Sequence, residues 1–231
     1  LESGHPEIFH SEVLNDENAS VNNLIDFSKL PEYPFDDADI STGKFVVIDP
    51  ATDKANADAV SLGYFEVHDG KPVAREIVEG RLSPGDTIKE SIKLCHKWGC
   101  ALVVIEANSY QYTLKYWSEQ VCKQLGIMGI TFIDIYSGKL SKNSRILTMF
   151  KAYMKGEIYV HPSCKSAVHA QVAGFNPLKT NNVDGVLDLL TYAPRVVEEF
   201  ANLIAIQTIE GQQEWEMLSQ QQYDQTENSP F

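Results

Sequence analysis

Phe45-Val46-Val47-Ile48 is an unbroken apolar, β-prone run that stops at Asp49-Pro50. Such a run predicts a strand buried on both faces. Residues 59–67 and 73–78 predict two more strands. Between them, His68-Asp69-Gly70-Lys71 carries the Asp-Gly pair that supplies the positive φ angles of a hairpin turn. The period then changes from 2 to about 3.6. Ser83-Pro84 reads as an N-cap with a first-turn proline, and Ile88, Ile92 and Cys95 follow at helical spacing until Gly99. Residues 101–105 form a second buried apolar run, ending at Glu106. A helix over about 110–125 stops at Gly126, a third central strand covers 130–135, and Ser141 caps a helix through Lys155 that Gly156 ends. A short strand at 158–160 and helical stretches near 163–172 and 182–194 complete the core. The order predicts an α/β fold with a mixed five-stranded sheet, an antiparallel three-strand meander plus parallel strands, flanked by helices. An all-parallel doubly wound fold would lack the opening hairpin.

The 231 residues are 43% hydrophobic and 22% charged, enough for a substantial core. No apolar run approaches the roughly 20 residues of a membrane helix. Cys95, Cys100, Cys122 and Cys164 contain no C-x-x-C pair and read as reduced thiols. The chain starts at Leu1 with neither an initiator Met nor a basic-then-apolar leader, which suggests an excised piece of a protein that is not secreted.

A net charge of −13 looks hostile to nucleic acid until it is divided along the chain. Residues 1–40 hold ten acids against Lys29 alone, and 197–231 hold seven acids with no Lys or Arg. The two ends carry −16, which leaves +3 on residues 41–196. A DNA-binding middle is therefore compatible with an acidic protein. The expected organisation is an acidic extended segment over 1–42, a folded domain over 43–196, and an acidic, Gln-rich helix or tail over 197–231.

The acids are placed for chemistry. Asp49 and Glu106 end two apolar strands, and ligands of α/β sheets gather outside strand ends. Asp184 and Asp188 lie one turn apart on the last core helix and face the same way. Singly, each could be a loop or cap residue. Together they make a set of hard oxygen ligands suited to Mg²⁺ or Mn²⁺. Two such ions can hold both oxygens of an in-line phosphoryl displacement. Asp53 and Asp58 follow Asp49 in a loop, and Asp58 is either a further ligand, a group that orients one, or a turn residue. Between Ile135 and Gly156 there are Lys139, Lys142, Arg145, Lys151 and Lys155 and no acid. In isolation that is a solvated face; beside an acid cluster it suits a phosphodiester backbone. His161, Cys164 and His169 have no second pair at zinc-finger spacing. There is no G-x-x-x-x-G-K-[ST], G-x-S-x-G or G-x-G-x-x-G.

An ordered set of motifs resembles the nuclease domain of tailed-phage terminase large subunits, which have a ribonuclease H-like fold. Val46 to Ala51 followed by Asp58-Ala59-Val60 is similar to the first acidic motif of that family, and Val104 to Asn108 to the second. Lys142, Arg145 and Gly156 to Tyr159 resemble the basic helix and small strand that follow; Val183-Asp184, Asp188 and Tyr192-Ala193 resemble the third acidic motif. That motif often has two adjacent acids, whereas Gly185 follows Asp184 here. The likeness spans about 43–196. It implies a metal-dependent endonuclease that cuts concatemeric viral DNA during genome packaging. Asp49, Glu106 and Asp184 would be catalytic and bind two Mg²⁺ or Mn²⁺ ions, with Asp188 and Asp58 as further metal-site residues. Lys139, Lys142, Arg145 and Lys151 would hold double-stranded DNA. It also implies an upstream packaging ATPase domain, the portal protein and the small terminase subunit as partners. The setting would be the host cell cytoplasm, at the procapsid portal, away from any membrane. A junction resolvase or transposase of the same superfamily, and a non-catalytic DNA-binding or assembly module, are the alternatives.

Overall fold

The computed structural model describes residues 27–50, 59–107, 112–179 and 182–206. The three predicted opening strands are β1 (Gly43–Asp49), β2 (Val60–His68) and β3 (Lys71–Gly80). They pair antiparallel, with Asp69 and Gly70 both at positive φ in the tight turn between β2 and β3. Helix α1 (Pro84–Trp98) starts where Ser83 accepts a hydrogen bond from the Asp86 amide, and it stops at Gly99, whose φ of 58° is left-handed. Next come β4 (Leu102–Glu106), α2 (Tyr112–Leu125), β5 (Thr131–Ile135) and α3 (Lys142–Met154), capped by Ser141. The chain ends in β6 (Tyr159–Val160), a 3-10 turn at Pro162–Cys164, α4 (Lys165–Gly174), α5 (Gly185–Glu199) and α6 (Ala201–Ile206).

The sheet runs in the order β5-β4-β1-β2-β3-β6. It has six strands where five were expected, because the short strand at 159–160 adds parallel to β3 and covers that edge. β4 and β5 are parallel to β1, so the mixed character follows the predicted meander and crossovers. Two apolar layers enclose the sheet. Val46, Ile48, Leu62, Tyr64, Val103 and Ile105 face α1 and α2. Phe45, Val47, Phe65, Leu102 and Val104 face α3, α4 and α5.

This period-2 alternation decides where the acids go. Phe45, Val47 and then Asp49 point to the same face, as do Leu102, Val104 and then Glu106. The parallel register pairs Ile48 with Ile105, so one residue on, Asp49 and Glu106 are neighbours on the face covered by α3 and α5. The apolar stripe of α5 packs on β1, β2 and β3. Ile204 of α6 seats on the backbone of Gly43, where any side chain would collide with it. Residues 30–42 run over the β3–β6 edge. Phe35 stacks on His68 with ring centroids 4.8 Å apart, and Arg75 reaches Tyr33 and Asp37 at 2.9 and 2.8 Å. Among the described residues no helix is long and apolar enough to cross a membrane.

Candidate metal centre

Asp49, Glu106 and Asp188 each offer a carboxylate oxygen, and these oxygens lie within 4.8 Å of one another. Two come from adjacent strand ends and the third from the first turn of α5. Glu106 is 5% exposed and Asp188 2%, burial that carboxylates tolerate only with partners. The Asp49 carboxyl is pushed well above the usual carboxylate range. Burial is the main cause; the hydrogen bond to Glu106 and its charge add to it, and Lys142 pulls the other way. An acid that resists ionising beside two others marks a site that gains from a compensating cation. The donor set is all oxygen, as Mg²⁺ and Mn²⁺ require, so the residues fit the implied metal.

Asp184 stands outside this group of three. It is the residue before α5, and its carboxylate takes the ammonium of Lys142 at 2.9 Å. The same ammonium is 3.4 Å from Asp188. Burial alone would lower the pKa of Lys142, but Asp188, Asp49 and Asp184 outweigh it and hold the ammonium above its ordinary value. One Nη of Arg145 donates to both oxygens of Asp188, at 2.7 and 2.9 Å, and the other donates to the Ser137 carbonyl at 3.2 Å. Burial opposes the charge on Arg145 and Asp188 restores it, leaving its pKa raised.

The structure therefore divides the expected DNA-binding residues. Lys142 and Arg145 turn inward to the acids. Lys139 is exposed in the loop before α3. Lys151 is exposed nine residues beyond Lys142, half a rotation round the helix, and away from the site. Asp58 lies outside the described residues.

Several further side chains touch the acids or the helix that carries them. Tyr192, fully buried, donates its hydroxyl to Glu106 Oε1. Thr191 donates to Asp188 Oδ1 at 3.1 Å. Gln171 of α4 accepts from the Val186 amide at 2.9 Å, so it caps α5 in place of Asp184, whose side chain makes no cap bond. The signal for Tyr192 was present: it is i, i+4 from Asp188 on one helix face. Gln171 had none, since the contact joins two helices. Gly185 sits so close to Ser61 of β2 that a Cβ there would collide with the hydroxyl. Any side chain at 185 would have to displace that hydroxyl.

No protein-family model and no curated protein sequence matches the chain. Solved structures do match. The large terminase of a thermophilic bacteriophage superposes with a TM-score of 0.52 at 12% identity, over 77% of this chain and 46% of that one. The human cytomegalovirus terminase nuclease domain, in a manganese-soaked and inhibitor-bound structure, superposes with a TM-score of 0.54 at 10% identity, over 78% of this chain and 98% of that one. The fold is that of the terminase nuclease domains. It is ribonuclease H-like, as the ordered motifs implied. The chain spans less than half the length of the thermophilic phage's large terminase and nearly all of the cytomegalovirus domain.

Proposed function

We propose that this chain is the nuclease part of a terminase large subunit, a divalent-metal-dependent endonuclease that cuts concatemeric viral DNA during genome packaging. The observation that carries this reading is the convergence of Asp49, Glu106 and Asp188 within 4.8 Å at the ends of two strands and the start of a helix. Those three residues would hold one or two Mg²⁺ or Mn²⁺ ions, and Asp184, through Lys142, borders them. A bound ion supplies an activated water and charge for the leaving 3′-oxygen.

The chain's own residues do the rest. The short, buried strand ends fix two carboxylates on a rigid sheet, which holds them in place better than loops would. Lys142 spreads positive charge between Asp184 and Asp188 and lowers the cost of bringing acids to a phosphate backbone. Lys139, exposed in the loop before α3, would meet the DNA backbone. The upstream packaging ATPase domain, the small terminase subunit, the portal protein and a place in the host cell cytoplasm belong to the same proposal. They rest on the likeness to the terminase folds.

The deciding assay uses the 231-residue chain and supercoiled plasmid with Mg²⁺, Mn²⁺ or EDTA. Nicked and linear products with either metal and none in EDTA are expected. Cleavage that persists in EDTA overturns the metal assignment. Metal binding without cleavage overturns the nuclease and favours a DNA-binding module.

A further inference from the structure

Two of the three clustered carboxylates are held from outside by residues that also touch each other. Arg145 of α3 donates to both oxygens of Asp188, and its guanidinium carbon lies 5.3 Å from the centroid of the Tyr192 ring. Tyr192 of α5 in turn donates its hydroxyl to Glu106 at the end of β4. Asp188 and Tyr192 are four residues apart on one helix, so a single helical turn offers one ligand and the brace of another. The chain of contacts runs from Asp188 through Arg145 and the Tyr192 ring to Glu106. It joins α3, α5 and β4 without passing through the centre of the acid cluster.

We propose that Arg145 and Tyr192 act as one positioning unit that sets the two carboxylates at the metal-binding geometry. This rests on the metal centre proposed above. Each carboxylate oxygen has two lone-pair directions. The outer donors take one side of Asp188 and one oxygen of Glu106, and thereby fix how each carboxylate faces Asp49. Partners of this kind tune ligand orientation, and their loss typically costs about 10–100-fold in metal affinity. A guanidinium over a buried ring adds mutual support, because each holds the other in the orientation its hydrogen bond needs. Simple support of the fold is the alternative. Arg145 is 11% exposed and Asp188 2%, so the pair could serve packing alone.

The test is Mn²⁺ binding to the full chain by titration calorimetry, with no DNA present. Tyr192→Phe keeps the ring and removes only the hydroxyl, and Arg145→Lys keeps the charge and removes the fork. Each should weaken Mn²⁺ binding about 10-fold. The double variant should weaken it by clearly less than the product of the two, because one chain of contacts is broken in both. Thermal unfolding of each metal-free variant, followed by circular dichroism, reports fold. A variant that melts like the parent yet binds Mn²⁺ weakly supports positioning. Parent-like Mn²⁺ affinity in Tyr192→Phe, or fully multiplicative losses, overturns the unit while Asp49→Asn still abolishes binding and leaves the metal centre standing. If the parent itself fails to bind Mn²⁺, or Asp49→Asn binds as well as the parent, the metal centre and the positioning unit fall together.

Discussion

The ammonium of Lys142 lies 2.9 Å from a carboxylate oxygen of Asp184 and reaches Asp188 as well. The acid expected to close the metal site is thus engaged with a lysine, and the acid one turn along takes the place beside Asp49 and Glu106. Cleavage by Asp188→Asn should fall at least about 100-fold, the upper end for a lost metal-site partner, and by Asp184→Asn several-fold less. Nicking of plasmid in Mn²⁺ measures both. A larger loss at Asp184 than at Asp188 would return the third ligand to Asp184.

Lys142 also predicts a stability effect. With Lys142→Met, Asp49, Asp184 and Asp188 lose a cation they share, so the metal-free protein should melt a few degrees lower. Added Mg²⁺ should then raise its Tm by more than it raises the parent's, since the ion now relieves more repulsion. Differential scanning calorimetry with and without Mg²⁺ checks this, and an unchanged Mg²⁺ increment would place the lysine outside the electrostatics of the site.

Gly185 predicts a paired result. A methyl at that position meets the Ser61 hydroxyl too closely, whereas the Ser61 Cβ is an ordinary 3.5 Å away. Gly185→Ala should cost about 1–3 kcal/mol, as overpacked sites do. Ser61→Ala alone should cost little, because that hydroxyl is buried with no hydrogen-bond partner. The double variant should recover most of the loss in urea midpoint at constant m.

Much of this was legible because sheet and helix periods are local properties. Asp49 and Glu106 each follow an apolar run, which marks them as strand ends, and the parallel register of β1 with β4 then sets both on one face. Pro194 shows the opposite case. It favours a helix ending near 194, yet α5 continues to Glu199, since buried Tyr192, Ala193 and Val196 outweigh one missing amide. The choice between Asp184 and Asp188 was not legible. It depends on Gln171 capping α5 from another helix and on Lys142 reaching across from α3, contacts with no sequence period. The inward turn of Arg145 was hidden for the same reason.

DNA binding should divide the basic residues in the same way the structure does. Lys139→Ala should reduce the slope of log affinity against log salt by about 0.9, one phosphate contact, and Lys151→Ala should leave it unchanged. Affinity for a short duplex across salt, with Ca²⁺ in place of Mg²⁺, gives both slopes. Equal slopes in parent and Lys139→Ala would remove Lys139 from the DNA path.

The segment before β1 should respond to acid. Asp37 is held below its ordinary value near 3.8, first by the hydrogen bond from Arg75 and then by its charge, with burial opposing and His161 helping. A carboxyl with a lowered folded pKa contributes its support above pH 3.8, and the support disappears as pH falls through the lower, folded value. Asp37→Asn should show the same loosening at neutral pH. Faster amide exchange confined to residues 31–40, with an unchanged global Tm, is the expected record. Parent-like exchange there would mean Phe35 and its aromatic neighbours alone hold the segment.

Gly43 and Asp49 stand at opposite ends of one strand, about 20 Å apart at roughly 3.3 Å per residue. Anything pulling on the chain ahead of Gly43 therefore loads β1 from the end remote from the acids. β1 is bonded along one side to β2 and along the other to β4, and Ile204 braces its beginning. Tension along the strand axis has to shear both ladders at once, where a pull across an edge strand would open bonds one after another. The carboxylates thus sit at the end of β1 remote from such a load, next to the stretch where Val46, Val47 and Ile48 pair with β4.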